Sequence, residues 1–177
     1  MTRMDLYLPL PSAWAGCAKN VIPPVHHGND RMRLLVIYDT VYGSTERIAR
    51  AVAEELEAAG HEVSCRRQSL SGEEDFLGVG VWVIGSPTHW GRAPFRFKTL
   101  LKNAVKEAGA DHAFVAFDTR YDGMHAGAAD RTHRMLVNAG LRPLLPPASF
   151  IVEGKELRAG EEARARALGQ AIAASLR

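Results

Sequence analysis

Three short, uninterrupted apolar runs limit how this chain can fold more than any other feature. They occupy residues 34–38, 80–84 and 113–117. A strand whose side chains are buried on both faces has such a run, because neither face needs polar residues. This is the pattern of central strands in a parallel sheet that is covered by helices on both sides. The runs therefore predict an α/β fold.

The segments between these runs have the periodicity of helices and edge strands. Residues 62–66 alternate polar and apolar side chains, which is typical of a half-exposed edge strand. A second edge strand is predicted near residues 149–152, and a helix over about 127–139. Three further helices are predicted by apolar stripes, namely Ile48, Val52 and Leu56, then Leu100, Leu101, Ala104 and Val105, then Leu168, Ile172 and Leu176.

An edge strand in second position and buried strands in first, third and fourth position predict the strand order 2-1-3-4-5. The predicted fold is a doubly wound, five-stranded parallel sheet with helices on both faces and right-handed crossovers. In such sheets, ligands bind beyond the carboxyl ends of the strands, at the switch point between strands one and three. The loops after Tyr38, Ile84 and Phe117 are therefore the candidate functional segments.

Composition and charge exclude several classes of protein. The chain has 22 Lys and Arg against 20 Asp and Glu, which is too balanced for a protein that neutralises many phosphates of a nucleic acid. No apolar run approaches the ~20 residues of a membrane-spanning helix. Cys17 and Cys65 lie far apart without the spacing of metal ligands, so neither a disulfide framework nor a zinc site is predicted. We expect a soluble cytoplasmic protein with no nucleic acid or membrane partner.

The first 31 residues differ from the rest of the chain. They contain four of the nine prolines and no sustained helical or strand period. We therefore interpret residues 1–31 as an irregular N-terminal extension and residues 32–177 as the folded domain. The alternative is a lipoprotein signal ending at Cys17, but Asp5, Trp14 and two prolines interrupt its apolar stretch.

The loop after the first strand has the chemistry of a phosphate site. It leads from Tyr38 through a turn rich in hydroxyl groups to the start of a helix. The unpaired backbone N–H groups at a helix N-terminus attract anions, and Thr40, Ser44 and Thr45 add hydroxyl donors. The alternative is that Ser44 or Thr45 only caps the helix.

The whole string from residue 36 to residue 52 resembles the signature of the flavodoxin family. Every fixed position of that 17-residue pattern is filled, by Val36, Ile37, Tyr38, Thr40, Gly43, Thr45, Ala49 and Val52. The resemblance continues over residues 32–177 and implies a flavodoxin-like domain with bound flavin mononucleotide (FMN). It implies that the 5′-phosphate of FMN is held by Thr40, Val41, Tyr42, Gly43, Ser44 and Thr45. Tyr42 departs from the family, because many flavodoxins have Thr there.

Other α/β proteins with phosphate chemistry lack support in the sequence. No strand is followed by GxxxxGK[ST], GxGxxG or Cys-x5-Arg, which a P-loop protein, a dinucleotide-binding fold and a low-molecular-weight phosphatase would need. A response-regulator receiver domain would need an aspartate after the third strand. This chain has Gly85-Ser86 there.

The loops after the third and fourth strands complete the predicted site. The loop after the third strand is a tight turn that carries a large aromatic side chain. The resemblance implies that flavin is contacted there by Ser86, Pro87, Thr88, His89, Trp90 and Gly91. Alternatively, Trp90 packs on Phe95 or Phe97. In the flavodoxin family, the loop after the fourth strand covers the pyrimidine side of the flavin. The resemblance therefore implies that flavin is contacted by Asp118, Thr119, Arg120 and Tyr121. No catalytic side chain is expected, because the flavin carries the chemistry.

The charge around these loops differs from that of acidic flavodoxin carriers. The domain has 19 basic and 18 acidic residues once the extension is removed, and the predicted rim contains His89, Arg92, Arg96 and Arg120. A positive rim stabilises an anionic reduced flavin and attracts anionic partners. These side chains are also interpretable as ordinary solvated charges.

Two redox functions follow from the resemblance. The first, which we favour, is an FMN protein that carries electrons between protein partners. The second is a small FMN-dependent reductase that takes hydride from NAD(P)H and reduces a quinone or a similar small acceptor. A domain of 146 residues (177 minus 31) has no obvious insertion for a substrate pocket. A third interpretation, a binding module without flavin, is supported only by Tyr42.

Overall fold

The central sheet forms from the apolar runs that the sequence predicts as strands. The computed structural model describes residues 31–177, so the predicted extension and Cys17 lie outside the described residues, apart from Arg31. The strands are β1 Arg33–Tyr38, β2 Glu62–Arg67, β3 Val81–Pro87, β4 Ala113–Arg120, β5 Arg142–Pro143, β6 Ala148–Glu153 and β7 Glu156–Leu157.

The strand order confirms the predicted doubly wound topology. The sheet runs β2-β1-β3-β4-β6-β7, with parallel pairing from β2 through to β6. Strand β6 therefore takes the fifth position of the predicted order 2-1-3-4-5. β1, β3 and β4 are the buried central strands. β2 is an edge strand, and each of its residues is at least partly exposed to solvent.

Two short strands were not predicted, and both result from local chemistry. β5 pairs with the start of β4, and β6 pairs with its end. Pro143, Pro146 and Pro147 lie in this part of the chain and have no N–H to donate, so the pairing with β4 is interrupted. Beyond β6, the chain turns at Gly154 (φ 64°), and β7 pairs antiparallel with β6.

Four helices cover the two faces of the sheet. They are α1 Ser44–Ala58, α2 Phe95–Ala108, α3 Ala128–Asn138 and α4 Glu161–Ser175. Helices α1 and α4 pack on one face and α2 and α3 on the other, and the predicted apolar stripes face the sheet. No helix in residues 31–177 is both long and apolar enough to cross a membrane.

A glycine in α4 allows α1 and α4 to approach closely. A Cβ atom at Gly169 would lie 2.7 Å from Cβ of Glu55 and 2.9 Å from the backbone oxygen of Val52. Both distances are shorter than ordinary van der Waals contact, and the Val52 oxygen belongs to the backbone of α1. Any larger residue at position 169 would therefore have to push the two helices apart.

We predict that Gly169→Ala destabilises the protein by about 1–3 kcal/mol through overpacking. In an isolated helix the same change is stabilising by about 1 kcal/mol, so packing and helix propensity predict opposite signs. Urea denaturation followed by circular dichroism measures the difference. A stabilised variant would contradict the close packing. The control is Ala163→Gly on the exposed side of α4, which should cost about 1 kcal/mol or less through propensity alone.

A buried carboxylate connects three segments next to the carboxyl ends of the central strands. Asp118, near the end of β4, accepts hydrogen bonds from the hydroxyl of Thr88 (2.8 Å) and the N–H of Ala129 (3.0 Å). The Thr88 hydroxyl in turn accepts the N–H of Ala128 at 2.8 Å. The loop after β3 and the start of α3 are therefore fixed to β4. Burial raises the pKa of the Asp118 carboxyl above its ordinary value, although the bonds from Ala129 and Thr88 act in the opposite direction.

This raised pKa makes the free energy of unfolding depend on pH. The native state holds the Asp118 proton more tightly than the unfolded state does, so stability falls as pH rises from about 3.8 through the native pKa. We predict that Asp118→Asn, which cannot ionise, gains stability relative to wild type as the pH rises above about 4. Urea denaturation at several pH values measures this difference. Parallel pH profiles for the two proteins would contradict the prediction.

Candidate cofactor site

A cleft of about 200 Å³ opens at the carboxyl ends of the central strands. It lies at the predicted switch point, because the loops after β1, β3 and β4 form most of its wall. The residues that line it are Thr40, Val41, Tyr42, Ser44, Thr45, Pro87, Thr88, His89, Thr119, Arg120, Tyr121, Val152, Gly154 and Lys155. The structure therefore brings residues from all three predicted loops together.

The loop after β1 leads into α1 through Gly43, whose φ of 90° is in the left-handed region. Gly43 is the N-cap residue, and no side chain caps the helix. The hydroxyl of Ser44 donates to the backbone oxygen of Lys155 (2.9 Å), and the hydroxyl of Thr45 pairs with that of Thr119 (2.8 Å). The alternative that Ser44 or Thr45 serves as the cap is therefore wrong. The N–H groups of the first turn of α1 have no partner within the helix, which suits an anion.

The loop after β3 presents Trp90 to solvent. The backbones of His89 and Arg92 exchange two hydrogen bonds of 2.9 Å, with only Trp90 and Gly91 between them. Both central residues have positive φ (49° and 72°), as in a type I′ turn. The left-handed region is unfavourable for a tryptophan, and the turn keeps this side chain 98% exposed. Packing of Trp90 on Phe95 or Phe97, the alternative considered from sequence, is therefore wrong.

The loop after β4 adds a third exposed aromatic side chain. Tyr121 is 56% exposed, and its hydroxyl donates to the backbone oxygen of Gly154 at 3.2 Å. Arg120 also lines the cleft, but its guanidinium lies 3.5 Å from a carboxylate oxygen of Asp130. The positive charge of Arg120 is thus partly neutralised within the protein.

Some residues predicted for the site do not line the cleft. These are Gly43, Ser86, Trp90, Gly91 and Asp118. Ser86 and Asp118 are buried at the ends of β3 and β4, where Asp118 positions Thr88. Gly43 and Gly91 shape their loops through positive φ. Direct contact of these residues with a cofactor stays a prediction.

One wall of the cleft was missed by sequence reasoning. Val152, Gly154 and Lys155 belong to the turn between β6 and β7, which lies beside the loop before α1. The sequence did contain a signal for this turn. Gly154 follows the fifth predicted strand, at the same sheet edge as the other three loops.

The charges around the cleft favour an anion. His89, Arg92 and Arg96 are exposed, and within residues 31–177 none of them forms an ion pair. The acidic residue in the first turn of α1, Glu46, is bound by Arg50 at 2.8 Å, and this bond lowers the pKa of Glu46. No group of His, Cys, Asp and Glu side chains in the described part of the chain could hold a metal ion.

Comparison with known proteins shows a similarity to flavodoxins. The family model of the flavodoxin domain matches residues 35–119, which include most of β1, the loop before α1, and most of β4. A flavodoxin from Aquifex aeolicus is 32% identical over 74 residues. That stretch covers 41% of this chain and 40% of the Aquifex protein, so less than half of the relative is matched.

Solved structures agree in fold. A flavodoxin from the domain Archaea superposes with a TM-score of 0.72 at 14% identity, over 82% of this chain and 99% of that protein. The oxidised flavodoxin 1 of Bacillus cereus gives 0.68 at 15% identity, over 78% and 95%. Rubredoxin oxygen:oxidoreductase of Desulfovibrio gigas gives 0.70 at 19% identity, over 81% of this chain but 36% of that protein. These matches show that the folded part of this chain has the flavodoxin fold and that residues 35–119 are similar to the flavodoxin domain.

Proposed function

We propose that this protein binds FMN in the cleft and carries electrons between redox partner proteins. The observation that carries the proposal is the position of three exposed aromatic side chains: Tyr42 and Tyr121 line the cleft, and Trp90 lies on the loop after β3, which forms another part of the wall. They come from three different loops that meet beside the N-terminus of α1. Large exposed aromatic side chains are costly in water, and a flat ring system offers them a stacking partner.

The residues of the cleft fit the two parts of FMN. The first-turn N–H groups of α1 and the hydroxyl of Thr40 suit the phosphate, whereas the hydroxyls of Ser44 and Thr45 are already bonded within the protein. The carbonyl and N–H groups of the loops after β3 and β4, with Trp90 and Tyr121, suit the flavin ring. FMN would supply the electron transfer, and the chain would bind the ring, orient it and set its electrostatic environment.

The basic rim supports a particular kind of redox behaviour. His89, Arg92 and Arg96 are free to interact with negative charge near the flavin, since within the described residues they have no acidic partner. Positive charge nearby favours the anionic reduced form of a flavin and attracts acidic partners. We infer that the partners are acidic proteins and that the protein works in the reducing cytoplasm.

The chain offers little room for a second substrate, which favours a carrier over a reductase. The turn after β3 is followed within a few residues by α2, so no long segment covers the cleft there. An NAD(P)H-dependent quinone reductase remains the alternative function. It would have to bind both substrates on the open side of the flavin.

The first test is the visible spectrum of freshly purified protein, with chromatographic identification of any flavin released on denaturation. We predict bound FMN, and we predict that Gly43→Val weakens FMN binding by about 10- to 100-fold, the effect of losing one charge-assisted hydrogen bond. Valine is strained at φ 90° and displaces the entry into α1, although nothing lies within 4 Å of the new Cβ.

Gly60→Val is the matched control for this variant. Gly60 has φ 95° and open space around it, and it lies at the opposite end of α1 from the cleft. Both substitutions should reduce stability by about 1–2 kcal/mol through the same backbone strain. Only Gly43→Val should lose flavin. Equal FMN affinity in the two variants, or a wild-type protein that neither contains nor takes up FMN, would overturn the proposal.

Turnover of NAD(P)H separates the carrier from the reductase. We predict that the FMN-loaded protein alone oxidises NADH and NADPH slowly, and that adding a soluble quinone does not accelerate the reaction. The physical reason is that the described chain has no segment that would hold a nicotinamide against the flavin. Absorbance at 340 nm measures the rate. Rapid, quinone-dependent turnover by the pure protein would favour the reductase.

A further inference from the structure

The turn between β6 and β7 places a lysine at the mouth of the cleft. The turn consists of Gly154 and Lys155, and it is fixed to both sides of the cleft. On one side, the hydroxyl of Ser44 donates to the Lys155 oxygen at 2.9 Å. On the other, the hydroxyl of Tyr121 donates to the Gly154 oxygen at 3.2 Å. The lysine backbone is therefore held in place beside the first turn of α1.

Two arginines strengthen this attachment. Arg47 of α1 lies 3.2 Å from a carboxylate oxygen of Glu156, the first residue of β7. Arg158, just after β7, contacts Glu153 and Asp122, each at 2.7 Å. The two acidic residues that flank the turn, Glu153 and Glu156, are thus already paired with arginines.

The ammonium group of Lys155 has no acidic partner in the described part of the chain. Its Nζ lies 5.0 Å from the centroid of the Tyr42 ring, as in a cation–π contact. Tyr42 belongs to the loop that precedes α1, so this contact directs the charge toward the helix N-terminus. Glu46, the acidic residue of that first turn, is bound to Arg50 and does not neutralise the lysine.

We propose that Lys155 is a charged ligand for the phosphate group of the bound flavin and makes the cleft select FMN over riboflavin. This inference rests on the proposed function. The loop before α1 has no Lys or Arg before Arg47, which is paired with Glu156 and Glu162. Two residues with permanently charged cationic side chains line the cleft, and of these Arg120 is paired with Asp130, while Lys155 of the β6–β7 turn has no acidic partner in residues 31–177. Arg67, which does not line the cleft, donates to the backbone oxygen of Thr40 at 3.0 Å. Tyr42 holds the Lys155 cation by its ring and needs no hydroxyl contact with phosphate.

The test compares FMN and riboflavin binding to the apoprotein, measured by quenching of flavin fluorescence at several salt concentrations. Lys155→Met should weaken FMN binding about tenfold, the effect of losing one hydrogen bond to a charged group. It should leave riboflavin binding unchanged and reduce the salt dependence of FMN binding. Lys155→Arg should restore most of the affinity. Lys98→Met on the exposed side of α2 is the control and should change neither flavin.

The role of Tyr42 is tested by a double-mutant cycle. Tyr42→Leu removes the ring under Lys155 and should lower FMN affinity less than Lys155→Met does. In the Lys155→Met background, the same change should have a smaller effect, because the charge that Tyr42 positions is gone. Thermal unfolding of each apoprotein checks that the variants are folded.

The outcomes distinguish the two proposals. A wild type that binds neither flavin overturns the proposed function and the role of Lys155 together. A wild type that binds FMN while Lys155→Met keeps the wild-type ratio of FMN to riboflavin affinity leaves the proposed function intact and overturns the role of Lys155. A loss of both flavins in parallel would show that Lys155 shapes the cleft and does not bind phosphate, which also overturns this inference.

Discussion

Parallel pairing of the three central strands is the constraint on which the site depends. The pairing of β3 with β4 continues to Pro87 and Thr119, and that of β1 with β3 to Tyr38 and Gly85. The loops after these strands therefore start side by side at one edge of the sheet. Because the core beneath them is buried on both faces, the strand ends are fixed, and only the loops are free to vary in chemistry.

The loops are held in place by polar groups that face inward as well as by the sheet. Asp118 binds Thr88 and the start of α3, while the hydroxyls of Thr45 and Thr119 join the loops after β1 and β4. These bonds occupy side chains that the sequence suggested as direct ligands. What remains free is the backbone of the first turn of α1 and three exposed aromatic side chains, of which Tyr42 and Tyr121 line the cleft.

Much of the fold was predictable, because its signals are local. The apolar runs became β1, β3 and β4, and the polar alternation of residues 62–66 became the edge strand β2. The interrupted pairing of β5 and β6 was not predicted, although Pro143 and its neighbours could have indicated it. The exposure of Trp90 depends on a positive φ, which the residue type disfavours, so the sequence favoured an exposed, flavin-facing Trp90 but left packing on Phe95 or Phe97 open. The inward role of Asp118 depends on partners in other segments, which local sequence does not show.

The β6–β7 turn shows how a cleft gains charge without changing the loop that forms it. The loop before α1 contains no lysine or arginine, and its acidic residue, Asp39, accepts the N–H of Thr40 at 2.8 Å. The acidic residue of the first turn of α1, Glu46, is bound by Arg50. Positive charge comes instead from a separate hairpin that two arginine pairs and two backbone contacts hold in place. An exposed cation costs little when the cleft is empty, and its attraction to a phosphate grows as the ligand excludes water. Tyr42 departs from the family pattern, and its ring positions the ammonium group of Lys155, which supplies the positive charge.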